Sequence, residues 1–320
     1  MKNRNIIVVA GEPKGIFLEI FFKAIGRKIY KSPIILICCK RILLHQIKKS
    51  KLQKKIKILD LKKLDNYKLC NNYINLIDVE CLKNNKKFST KLTNEYIENC
   101  FKLAINLIKK KFSYKLINGP INKKSFLNKK FLGITEYISK KCNTKKTGML
   151  IFNENLSVCP LTTHLPLKLV ANKINRKLIE NKIKLINFFY KKNFKFKPKI
   201  AVTGLNPHCE SILKFNEDDK IVFKSIESQK KRGIKVSGPY SADTIFLKNN
   251  RTKFDVILGM YHDQVLTPLK TLYEFDAINI TMGLPFLRVT PDHGPNEKMA
   301  GKNISTPISL IKALKFLDKR

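Results

Sequence analysis

Ile6-Ile7-Val8-Val9-Ala10-Gly11-Glu12-Pro13-Lys14-Gly15, followed by the apolar stretch 16–25, decides the fold class. Five apolar residues in a row make a short buried strand, the glycines and proline turn the chain, and the next ten residues carry helical spacing. Strand, loop and helix in that order open a parallel sheet. The theme recurs downstream, with strands expected at 34–39, 56–59, 73–78 and 114–117 and helices at 43–50 and 94–110. After Asn118-Gly119-Pro120 it restarts: strands at 147–152, 156–161, 199–203, 254–258 and 277–280, helices at 175–191, 218–231 and 305–318. A chain of 320 residues is long for one core, so the reading is α/β with two α/β/α lobes and a cleft between them. The first lobe is placed at 1–119, with 282–320 returning to it, and the second at 120–281, carrying most of the candidate metal and substrate residues.

The net charge of +40 comes from fifty-six lysines and only eight arginines, spread along the whole chain. A nucleic-acid binder concentrates its basic residues on one face with aromatics between them, so this pattern argues against a dedicated nucleic-acid partner. Lysine, asparagine and isoleucine are all abundant, and all have A/T-rich codons. The charge reads as drift on a solvated surface, including the lysine-rich stretches 48–57 and 83–91, with nonspecific attraction for polyanions as its side effect. No apolar run reaches the roughly 18 residues of a membrane span, and Gly11-Glu12-Pro13 interrupts the opening run too early for a signal peptide. The expectation is a cytoplasmic protein without a membrane partner. Eight cysteines without a C-x-x-C pair read as reduced, mostly core residues.

Three of the five histidines close similar stretches: Thr162-Thr163-His164-Leu165-Pro166, Gly204-Leu205-Asn206-Pro207-His208 and Gly259-Met260-Tyr261-His262-Asp263-Gln264. Each follows an apolar run, which places all three at the carboxyl ends of strands, where open α/β sheets hold their ligands. Three neutral imidazoles meeting at one rim would bind a divalent cation and leave positions open for substrate. At each position the plain alternative is a hydrogen-bonded loop histidine. His45 reads as surface and His293 as a turn residue. No Gly-x-Gly-x-x-Gly follows the first strand, so the usual dinucleotide fingerprint is absent.

Taken in order, these motifs resemble the 4-hydroxythreonine-4-phosphate dehydrogenases of the vitamin B6 pathway, related in fold to isocitrate and isopropylmalate dehydrogenases. The likeness covers nearly the whole chain and adds Asn118-Gly119-Pro120-Ile121-Asn122-Lys123, Thr135-Glu136, Ala242-Asp243-Thr244, Asn279-Ile280-Thr281 and Gly283-Leu284-Pro285-Phe286 with Arg288. It implies a homodimer with its active site at the subunit interface, where His164, His208 and His262 hold a divalent ion (zinc, magnesium or cobalt), one lent by the partner. It implies NAD- or NADP-linked oxidation of 4-phosphooxy-L-threonine to 2-amino-3-oxo-4-phosphooxybutanoate, which decarboxylates to 3-amino-2-oxopropyl phosphate on the way to pyridoxine 5'-phosphate.

Substrate contacts map onto Thr135, Lys270, Asn279 and Arg288, and the nicotinamide lining onto Gly204, Asn206 and Gly283. The chemistry suits these types. A metal on the alcohol oxygen lowers its pKa as hydride leaves, a cation such as Lys270 stabilises the enolate of decarboxylation, and an arginine takes a phosphate or carboxylate through two bonds. Asp263 either orients its neighbouring ligand or caps a helix, and Asp243 either caps a helix or joins the catalytic set.

The chain also departs from the family. Ile134 stands where the family has a histidine that contacts the substrate phosphate, a loss worth about 1.5–3 kcal/mol for a charge-assisted bond. The glycine-rich loop after the second histidine is shortened to His208-Cys209-Glu210-Ser211-Ile212. Phe17 and Val265 replace glycines, and Pro295-Asn296 replaces a Thr-Ala pair. A drifted relative that binds metal or phosphate ligands without turnover is the alternative reading.

Overall fold

The computed structural model describes residues 5–49, 54–81, 89–127, 131, 133–210, 216–291 and 294–320. Its strands, in chain order, are β1 (Ile6–Val9), β2 (Ile34–Cys38), β3 (Ile56–Ile58), β4 (Ile74–Asp78), β5 (Lys115–Asn118), β6 (Gly148–Phe152), β7 (Ser157–Pro160), β8 (Ile200–Thr203), β9 (Val236–Tyr240), β10 (Val256–Gly259), β11 (Ile278–Met282) and β12 (Leu287–Pro291). The chain divides into two compact units, Met1–Asn143 with Leu284–Arg320, and Thr144–Gly283.

In the first unit the strands run β3-β4-β2-β1-β5-β12, every pair parallel. Continuous apolar runs explain this. Every residue of β1 and β2 is buried, as a parallel sheet covered on both faces requires. The helix Phe17–Arg27 buries Phe17, Leu18, Ile20, Phe21, Phe22 and Ala24. The helix Thr90–Lys109 starts at Ser89, whose side chain accepts from the Leu92 N–H, and supplies Ile97, Phe101 and Ala104 to a core shared with Ile7, Ile35 and Leu116.

The boundary expected at Gly119 moves to Asn143. The reason is packing: Ile121, Leu127, Tyr137 and Ile138 bury their side chains in the first unit's core. Two of them lie on a helix, Ile134–Lys141, that the sequence pattern did not show. Thr135 thereby belongs to the first unit rather than the second.

In the second unit the order is β11-β6-β7-β10-β8-β9. The strands β7, β10, β8 and β9 are mutually parallel, while β6 runs antiparallel to both β7 and β11. Most expected elements appear within a few residues of their places. Among those missed are β9, whose Gly238-Pro239 reads as a turn, and β12, which carries a charged residue at its second position. The stretch 218–231 is a π-helical turn, Asp218–Phe223, continued by the α-helix Lys224–Lys230. His45 is exposed as expected. Asp292-His293, Ser211, Ile212 and parts of both lysine-rich stretches lie outside the described residues.

Candidate active site

The three histidine loops leave the carboxyl ends of three adjacent parallel strands, β7, β10 and β8, as the apolar runs before them implied. Short hydrogen bonds tie each loop to the next. The Leu161 N–H donates to the Gly259 carbonyl at 2.7 Å, and the Thr162 hydroxyl to the Met260 carbonyl at 2.8 Å. Gln264 spans the other gap: its Oε1 accepts from the Met260 N–H at 2.7 Å and from the Thr203 hydroxyl at 2.8 Å, while its amide donates to the Gly204 carbonyl at 2.8 Å. Asp218, fully buried, then holds the last loop by accepting from the N–H groups of Leu205 at 2.6 Å and Asn206 at 2.9 Å. Neither Gln264 nor Asp218 was assigned a role from sequence. Gln264 stood inside a quoted motif, whereas nothing local marked Asp218.

His164 and His208 are exposed and hold left-handed backbone angles, φ 50° and 55°. A non-glycine residue held so costs on the order of 1–3 kcal/mol, an outlay that concentrates at functional sites. The rings of His164 and His262 lie 6.0 Å apart, centre to centre. The His262 Nδ1 is 2.7 Å from Asp263 Oδ1. In the tautomer whose Nδ1–H donates to that carboxylate, the ring would present Nε2 as a lone-pair donor, the usual arrangement of a metal-binding imidazole. These donors fit a borderline divalent ion.

No group of three histidine, cysteine, aspartate or glutamate side chains able to hold a metal occurs among the described residues. His208 follows β8, which lies beside β10 and two strand spacings, about 10 Å, from β7.

The other candidates of this unit are dispersed. Asp263 is 79 % exposed at the start of the helix His262–Tyr273, and Lys270 is exposed in its last turn. Asp243 is exposed in a turn after β9 and caps no helix. Asn279, on β11, has a buried Oδ1 that meets no hydrogen-bond donor among the described residues. Asn206 spends its amide on Glu217 and Asp218 at 3.0 and 3.1 Å. Gly204 and Gly283 are glycines for local reasons: a Cβ at the first would meet Cys209 Sγ at 2.7 Å, and at the second, where φ is +91°, the Lys146 carbonyl.

In the first unit the sequence placed Thr135 and Arg288 in one role, and the structure brings them together. Arg288 is 1 % exposed on β12. Its Nε donates to Asn118 Oδ1 at 2.9 Å and its Nη1 to Thr135 Oγ1 at 3.1 Å. Burial pulls the guanidinium down to about 10, with Glu136 acting in the opposite direction. The Asn118 and Thr135 oxygens are neutral, so these two bonds position the cation, while the nearby Glu136 carboxylate supplies opposite charge. Thr135 stands in the first turn of Ile134–Lys141, where the helix dipole also favours an anion. Asn118, in a quoted motif without an assigned role, is the residue missed here. Ile134 turns its side chain against the apolar core instead. Phe17 is buried and stacks on Phe21, and Val265 is fully buried, so both glycine replacements serve packing.

A family model for the pyridoxal phosphate biosynthetic protein PdxA matches residues 30–317. The chain is 35% identical over 318 residues to a 4-hydroxythreonine-4-phosphate dehydrogenase of Sulfurihydrogenibium sp., covering 98% of this chain and 97% of the relative. It is 32% identical over 320 residues to a D-threonate 4-phosphate dehydrogenase of Pectobacterium atrosepticum, covering 96% of each. The crystal structure of a 4-hydroxythreonine-4-phosphate dehydrogenase from Klebsiella pneumoniae superposes with a TM-score of 0.85 at 26% identity, over 98% of this chain and 96% of that one. A β-decarboxylating dehydrogenase from Thermococcus kodakarensis shares the fold at a TM-score of 0.53 and 13% identity, over 97% of this chain and 81% of the other.

Proposed function

This chain belongs to the PdxA family of pyridoxal phosphate biosynthetic proteins, and from that premise we propose that it oxidises 4-hydroxythreonine 4-phosphate at its secondary alcohol. The product, 2-amino-3-oxo-4-phosphooxybutanoate, loses carbon dioxide to give 3-amino-2-oxopropyl phosphate. The observation that carries this reading is the buried Arg288 guanidinium, held on neutral oxygens of Asn118 and Thr135 beside a helix N-terminus. A dianionic phosphate suits that cation.

Each residue then has a task. Arg288 and Thr135 bind the phosphate. His164 and His262 hold a divalent ion, zinc or cobalt rather than magnesium, because the donors are nitrogens. Asp263 keeps the His262 ring in the tautomer that offers Nε2. Asn279 Oδ1 accepts a hydrogen from the substrate's ammonium group, and Lys270 faces the negative charge that develops during decarboxylation. When bound, the ion acidifies the alcohol and NAD or NADP accepts the hydride. In a homodimer, the His208 loop of a second copy supplies the third imidazole.

Purified protein with 4-phosphooxy-L-threonine, NAD or NADP and cobalt or zinc should reduce the nicotinamide, and a chelator should stop it. D-threonate 4-phosphate, which has a hydroxyl in place of the amino group, is the comparison substrate and should turn over more slowly. Ion uptake without turnover of either compound would overturn the reading in favour of a binding protein.

A further inference from the structure

Cys39 and Cys81 are 42 residues apart in sequence, yet their Sγ atoms are 2.8 Å apart. They lie just past the carboxyl ends of the neighbouring strands β2 and β4, where Cys38 pairs with Asp78. Both backbones are fixed at that point. The Val79 N–H donates to the Cys38 carbonyl at 3.1 Å, the Lys40 N–H to Asp78 Oδ1 at 2.7 Å, and the Cys39 N–H to the Tyr96 hydroxyl at 3.1 Å. A sulfur–sulfur bond measures about 2.05 Å, so joining the two requires side-chain movement of under about 1 Å. We propose that Cys39 and Cys81 form a modification site, a dithiol that a peroxide-class oxidant converts to an intrachain disulfide.

The chemistry balances as two thiols and one hydrogen peroxide giving one disulfide and two waters. Cys81 is the more exposed of the pair, 6% against 2%, and its sulfur meets the peroxide first. Its thiolate attacks one oxygen, the O–O bond breaks, and the departing hydroxide takes a proton, leaving a sulfenic acid. The Cys39 sulfur then attacks that sulfenic sulfur and expels the second water; the two electrons lost by the sulfurs are those gained by the peroxide. Burial pushes the Cys81 thiol up to about 12, with Arg41 opposing, so the step is slow at neutral pH and suits a lasting oxidant load rather than rapid exchange.

The test uses the full chain, reduced and then incubated with hydrogen peroxide, followed by alkylation, digestion without reductant and mass spectrometry. Expected are a peptide pair joined through Cys39 and Cys81, two fewer alkylatable thiols, and a Tm raised by about 3–8 °C that dithiothreitol reverses. Cys39→Ser and Cys81→Ser should each abolish the rise, and Cys100→Ser should leave it. The proposal fails if the wild-type chain yields no joined peptide while Cys70, Cys142 or Cys209, the half-buried cysteines, is oxidised instead.

Discussion

Arg288 and the histidine loops are held in opposite ways. The arginine is 1 % exposed, with two of its nitrogens hydrogen-bonded to groups on β5 and on the helix Ile134–Lys141. The histidines stand at strand-end loops that backbone hydrogen bonds tie to one another, His164 and His208 exposed and His262 half-buried with its ring against Asp263. A cation fixed in the core is an anchor complete before any ligand arrives. Imidazoles on left-handed turns have their direction set by the loop and still need something from outside to complete the set.

The largest effect should separate the anchor's function from its packing. In Arg288→Met the charge-assisted bonds to phosphate disappear, and kcat/KM should fall at least ~100-fold. Stability should fall by only about 1–3 kcal/mol, because the Asn118 and Thr135 oxygens lose a donor while an apolar side chain of similar size keeps the packing. The denaturant midpoints of wild type and variant should stay parallel from pH 6 to 9, since the guanidinium is charged throughout that range in both folded and unfolded chains. Above about 10 the folded arginine releases its proton before the unfolded one does, so this group's contribution to stability rises with pH. A Tm collapse in Arg288→Met would make the arginine a structural residue and break the contrast.

Next in size is the tautomer control on the other side. Asp263→Asn should weaken cobalt binding by about 10–100-fold, read from visible absorbance during titration. Unchanged binding would reduce Asp263 to a helix-start residue. Asp218→Asn tests whether loop backbones carry the imidazole rim: about 1–3 kcal/mol of stability should be lost in urea unfolding. The smallest expected change sharpens the anchor. Ile134→His should lower the KM for the phosphorylated substrate about fivefold to tenfold, the gain of a charge-assisted bond being offset by the loss of apolar contact. No change in KM would place this position outside the phosphate contacts.

The parts of the fold legible in the sequence were those where one local property decides. Val8, Ile37 and Leu258 belong to runs buried on both faces and announce their strands. β12 was hidden because Arg288, at its second position, is buried for charge placement rather than hydrophobicity. The helix Ile134–Lys141 was hidden by its lysines and by its short length. The strand-end position of each candidate ligand was readable because a loop after an apolar run is a local feature. The place of the His208 strand on the far side of β10 from β7 was not, since the spatial order β7-β10-β8 is not encoded in chain order. Asn118 and Thr135 meet Arg288 across 170 and 153 residues, a pairing only the assembled sheet creates.

The antiparallel pairing of β6 with β11 sets Gly148 opposite Met282, so the second unit enters and leaves through one doorway. A segment whose two ends are already neighbours is a cassette. Residues 144–283 could be excised, closed with a short splice and made on their own, taking every candidate nitrogen ligand along. The remaining polypeptide would keep the guanidinium and its hydroxyl escort.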